Sequence, residues 1–147
     1  YINFHNARVE KVQAMIHSEM PPIGDLSRGY DHPIYQVILY MNDRERTALP
    51  PMPGIKFTSW NMGGADGIPA KGGKSTGIAK VLAHYGIEKS ETMAFGDGEN
   101  DVDMFSAVGT AIAMGNACPS AKEAAHYITD KVDEDGIWNA LKHFGVL

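Results

Sequence analysis

Phe95-Gly96-Asp97-Gly98-Glu99-Asn100-Asp101 is the stretch on which the reading of this chain turns. It continues Thr92-Met93-Ala94-Phe95, a short apolar run that reads as a buried strand, and it leads into a helix expected from about Asn100 to Val108. In an open parallel α/β sheet, ligands bind beyond the carboxyl ends of the strands. Asp97 lies one glycine past the strand, so its carboxylate projects into that crevice. Gly96 and Gly98 let the backbone turn sharply and approach a ligand closely. Asp101 lies three, four and seven residues before Met104, Phe105 and Val108, the apolar stripe of the helix. It therefore points inward at the first turn, where the helix dipole favours an anion. An inward carboxylate needs a cationic partner. Two acids with an asparagine between them suit a hard cation such as Mg²⁺, which takes one or two protein carboxylates and fills its shell with water and phosphate oxygens. A plain loop-to-helix turn capped by Asp97 is the alternative on residue types alone.

Around this stretch the sequence alternates. Residues 75–85 form an amphipathic helix with Ile78, Val81, Leu82 and Tyr85 on one stripe, closed by Gly86. Strands follow at 92–95, 110–114 and 127–129, separated by the 100–108 helix and by a helix over 119–126. Pro119 opens that second helix, and Ala121, Ala124 and Ala125 permit close packing on a sheet. A last helix over 136–144 buries Ile137, Leu141 and Phe144. Strand, helix, strand, helix, strand is the signature of a parallel α/β sheet. The front half reads as a small α+β layer. A helix over 6–16 is capped by Asn6, carries Val9, Val12, Met15 and Ile16, and is stopped by Pro21 and Pro22. Residues 34–41 read as a strand buried on both faces, 42–54 as turn and loop around a short helix, and 55–60 as a second strand. The glycines of 62–70 suggest turns around a short third, and the composition shift near 62–74 marks the boundary between the halves.

The 147 residues are 44% hydrophobic and 21% charged, enough for a real core and against disorder. A formal charge of −5 argues against a nucleic-acid or anionic-membrane partner. The single cysteine, Cys118, excludes a disulfide framework or a Cys-rich zinc site and fits a cytoplasmic protein. No apolar run approaches the roughly 20 residues of a membrane span. The sequence starts at Tyr1 without a Met or a leader, and it reads as a piece of a longer polypeptide.

A second anion-binding candidate is Lys74, in Lys71-Gly72-Gly73-Lys74-Ser75-Thr76, just ahead of a helix whose exposed N–H groups cradle anions. The spacing does not match a nucleotide-hydrolase phosphate loop, because Ile68 occupies the first glycine position. Gly96-Asp97-Gly98 lacks the third glycine of a dinucleotide fingerprint, and an EF-hand from Asp97 would need glycine at Val102 and glutamate at Val108. The six histidines show no paired metal spacing, and no Gly-x-Ser-x-Gly frame supports a serine nucleophile. Trp60 and Trp138 read as core, and Asp130, Asp133, Glu134 and Asp135 as a solvated loop capping the final helix.

From Asp66 onward the chain resembles the haloacid dehalogenase (HAD) superfamily, in its Cof-type, sugar-phosphatase-like branch. Four blocks in order carry the resemblance: Pro69–Lys74, Phe95–Asp101, Ala111-Ile-Ala-Met-Gly-Asn-Ala117 and Asp133-Glu-Asp-Gly136. The resemblance implies a Rossmann-like parallel core, of which residues 67–147 are the C-terminal part, preceded by a partial α+β cap over 1–66. It also implies a Mg²⁺-dependent phosphatase acting on a small phosphorylated metabolite through an aspartyl-phosphate. Carried over, Lys74 neutralises charge on nucleophile and phosphate, Asp97 ligates Mg²⁺, Asn100 holds the phosphoryl group, and Asp101 orients Lys74 or a metal-bound water. These roles suit phosphoryl transfer, which needs cations placed around the phosphate oxygens. The family's nucleophile lies in an Asp-x-Asp after the first core strand, upstream of the cap, and no such segment occurs here. The chain alone is therefore expected to be inactive, and either to self-associate or to dock with an N-terminal part across an unpaired strand edge. A non-catalytic Mg²⁺- or phosphate-binding module and a phosphomutase on the same fold are the alternatives.

Overall fold

The computed structural model describes residues 1–61 and 63–147, without the side chains of Trp60 and Asn61. The chain divides into two compact units, Tyr1–Ala70 and Lys71–Leu147. The first is α+β. Helix α1 (Ala7–Met15) starts where Asn6 Oδ1 accepts the Val9 N–H at 3.0 Å. It ends before the prolines, because His17 takes a left-handed φ of 52°. Its buried face is narrower than the periodicity suggests: Val9 and Val12 are buried, but Met15 and Ile16 are exposed. A one-turn helix, α2 (Arg28–Asp31), precedes strand β1 (Val37–Leu39). Helix α3 (Asp43–Thr47) lies in the charged loop, with Asn42 and Glu45 exchanging side-chain and backbone hydrogen bonds of 2.9 Å across its first turn. Strands β2 (Ile55–Asn61) and β3 (Gly64–Pro69) complete an antiparallel sheet of order β1-β3-β2.

That order corrects two expectations. The 34–41 run was expected to be buried on both faces, yet it contributes only a three-residue edge strand with Val37 and Ile38 exposed. Apolar, β-branched composition reports a preference for extended backbone and not a position within the sheet. The glycine-bearing segment expected to supply a minor strand is the central one. Gly67 makes this possible, since a Cβ there would press on Val37 and Phe57 of the two flanking strands.

The second unit is a parallel sheet with helices. Helix α4 (Lys74–Tyr85) ends at Gly86 in the left-handed region. Strand β4 (Met93–Gly96) runs parallel to β5 (Thr110–Ala113), which runs parallel to β6 (Tyr127–Ile128). Between β4 and β5 the expected long helix is a 3₁₀ turn over Glu99–Asp101 followed by a short α5 (Val102–Phe105). Helix α6 (Pro119–Ala124) and helix α7 (Gly136–His143) follow. The core is built of small residues around three larger ones: Ala94, Ala111, Ala113, Ala117 and Ala121 pack with Phe105, Val108 and Met114. Removing this apolar surface from water is the main stabilising term, at about 25 cal/mol per Å².

Several helix stripes are less covered than their patterns suggest. Val81 and Tyr85 of α4 are exposed, as are Ile137, Trp138 and Phe144 of the last helix, whose buried contact is Ala140. Trp138, expected in the core, instead carries the Lys142 ammonium over its ring at 4.9 Å. The side chain of Trp60 lies outside the described residues. Asp135 precedes α7 with a left-handed φ of 55° and makes no capping hydrogen bond, while Asp130 accepts from the Asn139 amide at 2.9 Å. Among the described residues no helix is long and apolar enough to cross a membrane.

Backbone packs on backbone where the loops after β5 and β6 meet. A Cβ on Gly136 would overlap the Asp130 carbonyl oxygen and lie 2.8 Å from its carbon. Gly136 also accepts the buried Thr129 hydroxyl at 2.7 Å. Gly136→Ala is therefore expected to destabilise the second unit by about 3 kcal/mol, a drop in melting temperature of roughly 12–24 °C. Calorimetry showing no shift would refute this steric account.

Candidate active site

The functional residues expected from sequence within 74–101 all belong to the second unit, at the carboxyl end of β4. Two elements bring them together. The strand delivers the turn 97–101, and the glycine pair Gly72-Gly73 delivers α4. Gly73 has a φ of 116°, a conformation open to glycine, and Lys74 is the first helical residue rather than the one before it.

Asp101 is the centre of the arrangement. It is 5% exposed, as its spacing from the apolar stripe requires. Its Oδ1 is ion-paired with the Lys74 ammonium. Its Oδ2 accepts the backbone N–H groups of Asp97 and Gly98, both at 3.0 Å. Burial alone would raise the Asp101 carboxyl, but the Lys74 hydrogen bond, the Gly98 and Asp97 N–H groups and the Lys74 charge together hold it below its ordinary 3.8. Gly96 is the position that lets the carboxylate in: a Cβ there would sit 2.5 Å from the Asp101 Cβ.

Asp97 differs in every respect. It is exposed, one residue beyond the strand. Its carbonyl accepts the Cys118 N–H at 2.8 Å, and its Oδ2 accepts the Asn116 amide at 3.4 Å. Asn100 is half-buried, and its side-chain oxygen turns back over Gly98, leaving no room for a Cβ there. Lys74 and the Asp97 backbone are thus tied to the two oxygens of one carboxylate, which groups a cation, an exposed carboxylate and an amide on one rim.

The donor chemistry separates the two acids. Both oxygens of Asp101 are engaged by nitrogen donors, so it serves as counter-ion and brace for Lys74. Asp97 keeps an exposed carboxylate able to bind a hard cation. No group of three or more His, Cys, Asp or Glu side chains fit to hold a metal occurs among the described residues. An all-protein zinc-type site does not fit this rim. An ion that takes one carboxylate here and completes its shell with water and phosphate oxygens does fit.

Asn116 was not singled out as a functional residue from sequence. Its side chain links Asp97 to the Val132 N–H, 3.0 Å away on the next loop. The Met114-Gly115-Asn116 stretch signals a tight turn after a strand, but nothing local indicates which side chain the asparagine reaches. His126 accepts the Ala111 N–H through Nδ1 at 2.9 Å and so secures the start of β5.

Comparison with known proteins identifies the family. The sequence matches the haloacid dehalogenase-like hydrolases over residues 16–141. It is 42% identical over 114 residues to "Putative phosphatase YkrA" of Bacillus subtilis, covering 78% of this chain and 44% of that protein. The fold superposes on BT1666 of Bacteroides thetaiotaomicron, a phosphatase of the haloalkanoate (HAD) superfamily, with a TM-score of 0.86 at 34% identity over 99% of this chain and 55% of that one. It also superposes on the HAD subclass IIB sugar phosphatase BT4131, with a TM-score of 0.85 at 33% identity over 94% of this chain and 55% of that one. The chain spans about half the length of these proteins. Sequence match and structural likeness agree, and the chain belongs to the haloacid dehalogenase-like hydrolases.

Proposed function

We propose that the full-length protein is a Mg²⁺-dependent phosphomonoesterase acting on small phosphorylated metabolites, sugar phosphates foremost, through an aspartyl-phosphate. The observation that carries this reading is the Lys74–Asp101 pair braced by the Asp97 and Gly98 N–H groups at the end of a parallel strand. In it the ammonium is held beside the turn from which Asp97 projects, and a transferring phosphoryl group needs positive charge placed around its oxygens. Lys74 neutralises the phosphate and the attacking carboxylate, Asn100 donates to the phosphoryl oxygens, and Asp101 keeps Lys74 aimed. Mg²⁺ held by Asp97 would supply further neutralisation of the phosphoryl oxygens. A sugar-phosphate preference is supported by the likeness to BT4131, a sugar phosphatase.

The nucleophile is assigned to a part of the polypeptide outside these residues. Asp101 and Asp103 lie on the 3₁₀ turn and α5, and Asp133 and Asp135 on a 3₁₀ turn and its left-handed exit, so neither pair follows a parallel strand directly. Release of phosphate from a phosphomonoester panel by the full-length gene product, sensitive to EDTA and absent from the 147-residue chain, is the expected result. Metal-independent turnover, or robust hydrolysis by the chain alone, would overturn the assignment. Transfer to a second sugar rather than to water would point to a mutase, and metal or phosphate binding without turnover to a binding module.

The same reading has a partner. In the sheet of order β4-β5-β6, β4 is an edge whose far side has no strand among the described residues. Such an edge invites pairing. The 16.0 kDa chain is expected to self-associate or to hold the remainder of its polypeptide across that edge, and a stable monomer in light scattering would refute this.

A further inference from the structure

We propose that Asn116 is a positioning residue that fixes the Asp97 carboxylate in the orientation a divalent cation needs. The inference rests on the metal-dependent reading above. Asn116 stands on the turn after β5, and that turn is pinned at both ends. Gly115 donates to the Asp130 carbonyl at 3.0 Å, Ala117 to Met114 at 2.8 Å, and Cys118 to the Asp97 carbonyl at 2.8 Å. A Cβ on Gly115 would lie 2.8 Å from the Asp130 carbon and the Lys131 nitrogen, so the turn has no freedom to slide.

The side chain then bridges two loops. Its Oδ1 accepts the Val132 N–H at 3.0 Å, and its Nδ2 donates to Asp97 Oδ2 at 3.4 Å. The first bond decides the second. An N–H requires the amide oxygen, which leaves the NH₂ end facing the carboxylate, so Asn116 meets Asp97 as a donor. One donor on Oδ2 sets the plane of an otherwise rotatable carboxylate and presents Oδ1 to an incoming cation. At 3.4 Å the contact is long for an N–H···O bond. Contacts of this kind tighten when the site is loaded. Hydrogen-bond partners of metal ligands typically govern affinity by about 10- to 100-fold.

The test is the affinity of the full-length protein for Mn²⁺, a spectroscopic probe for Mg²⁺, read by electron paramagnetic resonance without substrate. Asn116→Leu is expected to weaken Mn²⁺ binding by about 10-fold or more. Val132→Pro removes the N–H from the other end of the bridge. It suits the first position of the 3₁₀ turn after the extended Lys131, and, because that N–H turns the NH₂ end of Asn116 toward Asp97, it is expected to weaken binding too, by less than Asn116→Leu, since the amide can still reach the carboxylate. Wild-type affinity in a folded Asn116→Leu protein would overturn the proposal, and so would a larger loss in Val132→Pro than in Asn116→Leu, which would make the bridge a purely structural tie. If Asn116→Leu does not fold, Asn116→Ser, too short to reach Asp97, replaces it with the same expected loss. Asp97→Ala separates the two levels of the argument. Undiminished Mn²⁺ binding in that variant would overturn the metal site itself, whereas its loss beside unchanged binding in the Asn116 variants would overturn only the role of Asn116.

Discussion

Asp97→Ala in the full-length protein is expected to lower kcat/KM for a phosphomonoester by about 10³-fold or more, while the fold survives. The size follows from the chemistry: charge neutralisation by a metal ion at a phosphoryl group is worth several kcal/mol, and each 1.4 kcal/mol is a factor of ten. The survival follows from the structure. The Asp97 side chain is exposed and bonds to Asn116, whereas its backbone N–H and carbonyl, which bind Asp101 and Cys118, remain in the variant. Substitutions at such positions change stability by about 0.5 kcal/mol. Steady-state kinetics with a thermal melt on the same sample checks both halves. Retained turnover in a folded variant would remove Asp97 from the mechanism.

Lys74→Ala is expected to lose activity and stability together. Removing one preorganised charge donor costs about 10²–10³ in kcat. The folded protein also keeps a buried Asp101 that has lost its cation. Leaving such a group underpaired costs about 1–3 kcal/mol, and the half-exposed Lys74 places this loss toward the lower end. The pH dependence has a definite sign. Because the folded Asp101 carboxyl lies below its ordinary 3.8, its contribution is present above that value and is lost as pH falls through the depressed one. The stability gap between wild type and Lys74→Ala should therefore be complete near neutrality and close as the medium becomes strongly acidic. Urea titrations across pH measure this. A gap that persists in acid would mean that the lysine stem, and not its charge, stabilises the unit.

How much of this was legible in advance depends on the range of the interaction. The inward turn of Asp101 was readable because three residues of one stripe, Met104, Phe105 and Val108, fix the phase of its helix, and the need for a cation follows from burial alone. The length of that helix was not readable. The turn over 106–109 truncates α5 after one turn, and Gly109 packs there against the backbone of Lys89 and Ser90, which periodicity cannot see. The exposed Val81, Tyr85, Ile137 and Trp138 show a second boundary: a helical pattern says which face is apolar, not what covers it. The place of the β1 run is hidden from sequence for a related reason, because edge and centre of a sheet are decided by pairing, and Val37 and Ile38 pair with β3 on one side only. Asn116 escaped notice because its two contacts, 19 and 16 residues away in the chain, exist only once three loops have been gathered at one rim.

The glycines at that rim have a consequence for how such a site can change. Gly96, Gly115 and Gly136 each abut a neighbour too closely to accept even a methyl group. Three positions are thereby closed to ordinary substitution, and the polar fittings they frame are frozen with them. Change in this chain is then admitted where the polypeptide has slack. The outer strand β1 of the antiparallel unit, with Val37 and Ile38 facing solvent, has it.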